Sequence, residues 1–208
     1  MKQFFFIIVF NLFICYLASA QDSTIHFTQK QLQDFEIQAK ASVRNFCYYL
    51  GDLASSGTKA EDKPSIKQRL KNLFIDYAKV EVLSVSHPNK PRSYSINKYV
   101  DLVGNYAERF RFVVMQFYKV RVDVQHLKQI VKDGKIVYMG TFSYWQRFLA
   151  SNAEKEFNYT EQDLKGQSDE TPKTGVFYLI QSETKSNDKG KRWIILLGDI
   201  KAKELKPL

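Results

Sequence analysis

A run of nine residues, Tyr118-Lys119-Val120-Arg121-Val122-Asp123-Val124-Gln125-His126, alternates in the way a half-buried strand does. Tyr118, Val120, Val122, Val124 and His126 fall on one side, and Lys119, Arg121, Asp123 and Gln125 on the other. That period of two belongs to a sheet with one packed face and one wet face. Asp133-Gly134 follows as a hairpin signal, and Ile136 to about Phe148 is expected to return antiparallel. Both arms exceed the roughly five or six residues of an ordinary strand. The sheet must therefore bend strongly, and Gly140 is a natural place for the bend.

The residues before this hairpin read as helical. Leu32, Phe35, Ala39, Val43, Phe46 and Leu50 recur at three or four residues, so Thr28 can cap one long helix to about Leu53. Gly51 is tolerated late in it, and Ser55-Ser56-Gly57 ends it. A second helix is expected from about Pro64, harmless in a first turn, burying Ile66, Leu70, Leu73 and Phe74. Val80 to Val85 has strand character. His87-Pro88-Asn89-Lys90-Pro91 is expected to be a loop, because prolines break a ladder. Ser95 can cap a third helix to about Phe110, with Tyr99, Leu102, Val103 and Tyr106 on one side.

After the long hairpin, Ser151 to Lys173 is polar and is expected to form a surface connection. It contains a glycosylation acceptor pattern at Asn158-Tyr159-Thr160. A last hairpin should pair Gly175 to about Glu183 with Arg192 to about Lys203, across Ser186–Gly190. Helices first and antiparallel strands afterwards is an α+β order. A curved sheet wrapped over the helices would bury their apolar stripes and the Val120/Val122/Val124 face together.

The N-terminus reads as an export signal over residues 1–20. Lys2 precedes an apolar run of 14 residues, Phe4 to Leu17, and Ala18-Ser19-Ala20 offers a cleavage site. A run of this length is short of the roughly 20 residues that cross a bilayer as a helix. Cleavage after Ala20 would leave no membrane anchor and one domain, 21–208, working in the periplasm or outside the cell. Only Cys47 would then remain, so the fold must stand on packing without an internal disulfide. The net charge of +9 is spread over scattered lysines, with no basic tract that would call for nucleic acid.

Element order brings in a resemblance. The helix Thr28–Leu53, the helix Ser95–Phe110 and the long hairpin Arg111–Phe148 broken at Asp133-Gly134 resemble the cone-shaped α+β fold of the NTF2-like superfamily. That superfamily includes steroid isomerases, SnoaL-type cyclases, dehydratases and noncatalytic domains. The resemblance implies a pocket between the concave sheet and the helices, and dimerisation through the sheet's outer face. It also makes the polar stretch at about 151–174 an insertion.

Chemistry is sparse. His26, His87 and His126 stand far apart, no metal-ligand spacing occurs, and nucleotide-loop and nucleophile-elbow patterns are absent. No metal or cofactor is implied. His126 continues the inward alternation and is one candidate base. Asp199, sharing parity with Trp193, Ile195 and Leu197, is the strand acid that could face inward. Aromatic residues make up 14% of the chain, and Tyr49, Tyr99, Tyr118 and Trp193, with Tyr138, Tyr144 and Trp145, could line a ligand pocket. The leading expectation is an exported, noncatalytic NTF2-like domain binding a small apolar ligand or an envelope protein. Two alternatives stand beside it. One is a small isomerase, cyclase or dehydratase using His126 or Asp199 as base. The other is a periplasmic assembly component of a secretion or conjugation system.

Overall fold

Thr28 does begin the long helix. Its hydroxyl accepts the Gln31 N–H at 3.2 Å while the Gln31 side chain accepts the Thr28 N–H at 2.8 Å, a reciprocal cap on α1 (Gln29–Ala54). The computed structural model describes residues 25–84, 87–151, 169–182, 192–203 and 206–207. The export signal, the Asn158 acceptor and the Ser186–Gly190 turn lie outside the described residues. Along α1, Phe35, Ala39, Val43, Phe46 and Leu50 are all buried, so the stripe read from spacing becomes the core face.

The shorter elements position the rest. Pro64 sits in the first turn of α2 (Lys63–Asn72), which buries only Leu70; Phe74 is buried beyond the helix end, bridging Leu197. β1 (Lys79–Ser84) pairs with β2 (His87–Ser95), so the segment expected to be a loop at His87–Pro91 is part of a strand. The physical reason is its place. β2 is the sheet's edge, and the ladder breaks between Val82↔Arg92 and Ser84↔His87, so both prolines fall where no regular pairing is required. Ser95 caps α3 (Ile96–Gly104), accepting from Lys98 N–H at 3.4 Å. The single helix expected to Phe110 is two pieces: it stops at Gly104-Asn105, both weak helix formers, and resumes for one turn as α4 (Tyr106–Arg109).

Four long strands complete the sheet: β3 (Phe112–Lys132), β4 (Lys135–Ser151), β5 (Asp169–Ser182) and β6 (Arg192–Ala202), with a short β7 (Lys206–Pro207). The order is β2-β1-β6-β5-β4-β3, with β7 against β5; β1 runs parallel to β6 and every other pair is antiparallel. α1 lies across one face, where Phe35 meets Trp193 of β6 and Phe46 meets Tyr144 of β4.

The bend falls where expected. Across from Gly140, the β3 register jumps from Asp123↔Thr141 to Lys128↔Met139, so the four residues Val124 to Leu127 bulge out opposite a single glycine. A Cβ on Gly140 would stand 2.2 Å from the Phe177 ring and 2.9 Å from the Asp123 carbonyl oxygen. Its neighbour repeats the device in reverse: Phe142 pairs with Gly175, where a Cβ would stand 2.4 Å from the Phe142 ring. A second irregularity lies at Lys119, whose φ of 55° accompanies the jump from Tyr118↔Trp145 to Arg121↔Ser143.

These bulges change which residues share a face. Val122 pairs with the buried Phe142 and Val124 is itself buried, in line with the alternation. Tyr118 is turned to the outer face, where it stacks on Trp145 with an interplanar angle of 17°. His126 is turned outward too, as described below. Strict period two held only between the bulges.

Candidate functional site

The inner face of the sheet differs at its two ends. At the α1 N-terminal end, Phe27, Phe35, Tyr138 and Trp193 pack edge to face with centroids 4.7–6.1 Å apart and fill the space between helix and sheet. At the other end the same layer carries polar groups. Tyr144 and Gln146 of β4 pair with Lys173 and Thr171 of β5, and Phe148 pairs with Asp169. Gln146, Thr171 and Lys173 are buried, as are Tyr144 and Tyr99, the latter reaching in from α3. α4 adds Tyr106, whose ring lies 5.2 Å from that of Phe148.

Strand parity places three of these side chains. Asp169, Thr171 and Lys173 share the inward side of β5 with Phe177 and Leu179, while Glu170 and Pro172 face out. Pro172 is tolerated in this inner strand because its carbonyl accepts Lys203 N–H at 3.1 Å. Its missing donor falls on the same side, just beyond the last β5–β6 pair, Lys173↔Ala202. Lys173 pairs with Ala202, and across this small residue its ammonium reaches the Glu81 carbonyl of β1 at 2.6 Å. Lys173 makes no ion pair within 4.0 Å among the described residues.

The electrostatics follow from burial. Desolvation pushes the Asp169 carboxyl up to about 6, against the lowering effects of the Thr171 hydroxyl, 3.3 Å away, and the Lys173 charge. Desolvation brings the Lys173 ammonium down to about 8, though the Asp169 and Glu81 charges oppose this. Burial also raises the phenols of Tyr99 and Tyr144, takes Tyr106 to about 12, and lifts the Cys47 thiol to about 12. Cys47 is thus a protonated core residue. Among the described residues the Tyr144 hydroxyl and Gln146 Oε1 are buried without a hydrogen-bond partner. The polar end therefore holds a proton-exchanging acid, a cation, phenol donors and two idle polar atoms.

Of the residues singled out from sequence, Tyr99 and Tyr144 lie at this end. Trp193 belongs to the aromatic end, and Tyr49 is half-buried on α1 beneath the Arg69 guanidinium, 5.9 Å from its ring centroid. His126 does not cap the inner face. Its side chain is 82% exposed on the β3 bulge, where Nδ1 lies 2.8 Å from Asp123 Oδ2. Asp123 also accepts the Gln125 and His126 backbone N–H groups, so this pair braces the bulge. The hydrogen bond from His126 is the main reason that the Asp123 carboxyl is held below its ordinary value.

Asp199 is exposed and turned away from the inner face, because β6 is irregular between Leu197 and Ile200. It accepts the Lys79 N–H at 2.8 Å. It also lines an open groove of about 740 Å³ on the outer sheet face, with Arg121, Asp123, Thr141, Thr174 and Lys201. Sequence reasoning missed Gln146, Asp169, Thr171 and Lys173. Extending the Phe177 alternation backward along β5 would have found the last three. Among the described residues no three His, Cys, Asp or Glu side chains are placed to hold a metal ion, and no helix is long and apolar enough to cross a membrane.

No protein-family model matches the chain, and no curated protein matches it. Solved structures are similar to it at low identity. A scytalone-dehydratase-like protein from Novosphingobium aromaticivorans is 9% identical, with a TM-score of 0.44 over 86% of this chain and 92% of that one. A hexachlorocyclohexane dehydrochlorinase from Novosphingobium barchaimii is 11% identical, with a TM-score of 0.36 over 84% and 94%. An NTF2-like designed protein is 12% identical, with a TM-score of 0.32 over 79% and 99%. The chain has an α+β architecture in which N-terminal helices pack on one face of a strongly bent, mostly antiparallel sheet.

Proposed function

We propose that this chain is an exported, noncatalytic binding domain that holds a small, largely apolar ligand by a polar group at the inner polar end. One observation carries the reading: the Tyr144 hydroxyl and Gln146 Oε1 are buried with no hydrogen-bond partner among the described residues. An idle buried polar atom costs about 1–3 kcal/mol, and a ligand that satisfies it recovers that cost. Phe46 and Val103 in the core cluster and Phe148 packed against it give apolar surroundings for the rest of such a ligand.

Tyr144→Phe tests this directly. In ligand-free protein it should raise stability to unfolding by about 1 kcal/mol, because it removes an unpaired hydroxyl. It should also reduce the ligand carried from the native host, read by native mass spectrometry of Gln21–Leu208. A stability loss with unchanged ligand content would sink the reading.

The second reading is an acid–base enzyme of isomerase or dehydratase type. It is favoured by the Asp169 carboxyl at about 6, a value suited to proton transfer near neutrality. In that reading the base is Asp169, since His126 and Asp199 lie away from the inner face. A turnover rate for a bound ligand that follows the Asp169 titration and vanishes in Asp169→Asn would favour it over simple binding.

A further inference from the structure

Among the described residues Lys173 is a buried cation that its surroundings leave incompletely satisfied. An ammonium offers three donors, yet the contact made here is to one neutral carbonyl, that of Glu81 at 2.6 Å. Its side chain is only 3% exposed, so water supplies little of the remainder. Asp169, four positions away on the same strand face, acts on Lys173 through its charge but makes no ion pair with it within 4.0 Å. Among the described residues no anion touches this cation, and a buried cation without a direct ionic partner is among the costlier arrangements a fold can keep. A backbone strap between β5 and β1 would need no charge at all.

Building on the binding reading above, we propose that the ligand is an amphipathic carboxylic acid whose head group pairs with Lys173. The carboxylate supplies the direct counter-charge that no described residue gives, and it accepts the ammonium's remaining donors. The apolar part lies against the inner aromatic residues, with Tyr99 and Tyr144 as further donors near its polar end. Asp169 sets the discrimination. Its charge, from the same face, opposes an anion and keeps the affinity below what Lys173 alone would give.

The test compares octanoate with octanol on the mature chain, by isothermal titration calorimetry at neutral pH. Octanoate should bind at least about tenfold more tightly than octanol, the worth of one charge-assisted hydrogen bond in a dry site. Lys173→Met should remove about that factor for octanoate and leave octanol nearly unchanged. Asp169→Asn, which keeps the lysine and the shape, should tighten octanoate about threefold without moving octanol. Should Lys173→Met fail to fold, the octanoate-to-octanol ratio and the Asp169→Asn shift still decide the matter. Equal affinities for the two probes, or an Asp169→Asn protein that binds octanoate more weakly, would overturn the carboxylate assignment and leave a site for neutral ligands. Binding of neither probe would overturn the ligand-binding reading itself.

Discussion

The two ends of the helix–sheet layer share one helix, one sheet and one curvature, and they differ in what fills the space. At the first, Phe27, Phe35, Tyr138 and Trp193 interlock edge to face, and the Tyr138 hydroxyl reaches out to Gln129 at 3.1 Å. At the second, Tyr99, Tyr144, Gln146, Asp169, Thr171 and Lys173 share the layer, with two polar atoms idle. Aromatic packing of the first kind gains from area and geometry together. Buried polar groups of the second kind cost stability unless every one is paired. The first end is where the chain gains its stability, and the second is where it carries groups that stability alone would not select.

That contrast can be broken by substitution. The largest effect should come from Phe35→Ala, which empties the aromatic end. It should destabilise the fold by about 3–5 kcal/mol, measured by denaturant unfolding, and leave octanoate affinity in the surviving folded protein unchanged. A loss of binding there would mean that the two ends are one site.

Asp169→Asn should act next most strongly, through pH. Burial raises the folded-state pKa of Asp169 to about 6 from its unfolded value near 4. Its contribution to stability is therefore present below the unfolded value and lost as pH rises through 6, a span of about 3 kcal/mol. The wild type should lose stability relative to Asp169→Asn between pH 4 and 6, and a parallel pair of unfolding curves would disprove the burial argument. Lys173 works in the opposite window. Its folded value, lowered to about 8, means that stability is lost as pH falls through 8 and recovered above the unfolded value. The smallest effect belongs to His126→Ala. It loosens an exposed brace on the bulge and should change stability by less than about 0.5 kcal/mol, with no effect on ligand binding in calorimetry.

Much of the aromatic end was legible in the sequence, and little of the polar end was. The α1 stripe and its Thr28 cap are local signals, spaced by the helix itself, and the structure keeps them, with Leu32 at the stripe's start only half-buried. The Asp133-Gly134 turn and the bend at Gly140 were also readable, because turn chemistry and strand length are local. What failed depended on bulges. Alternation cannot reveal that Lys119 adopts a left-handed conformation or that Val124 to Leu127 oppose one glycine. Tyr118 and His126 were therefore placed on the wrong side. The polar end was hidden for another reason. Asp169, Thr171 and Lys173 look like surface residues in a polar stretch, and only the continuation of β5 turns them inward. The prolines of β2 misled in the same manner, since tolerance at an edge is a property of the assembled sheet.

The reciprocal pairing of Gly140 with Phe177 and of Gly175 with Phe142 has a consequence for how this chain can drift over generations. Each ring occupies the volume that a side chain on the opposite glycine would need, and backbone carbonyls of Asp123 and Asp199 crowd the same two points. A methyl group added at either glycine meets an immovable wall, and a smaller residue in place of either phenylalanine leaves a hole above bare backbone. Change at one partner becomes acceptable only together with change at the other. Descendants of this sequence should therefore inherit the four positions as two linked pairs, and hybrids that draw the β3–β4 hairpin from one lineage and β5 from another should fail at these two points first.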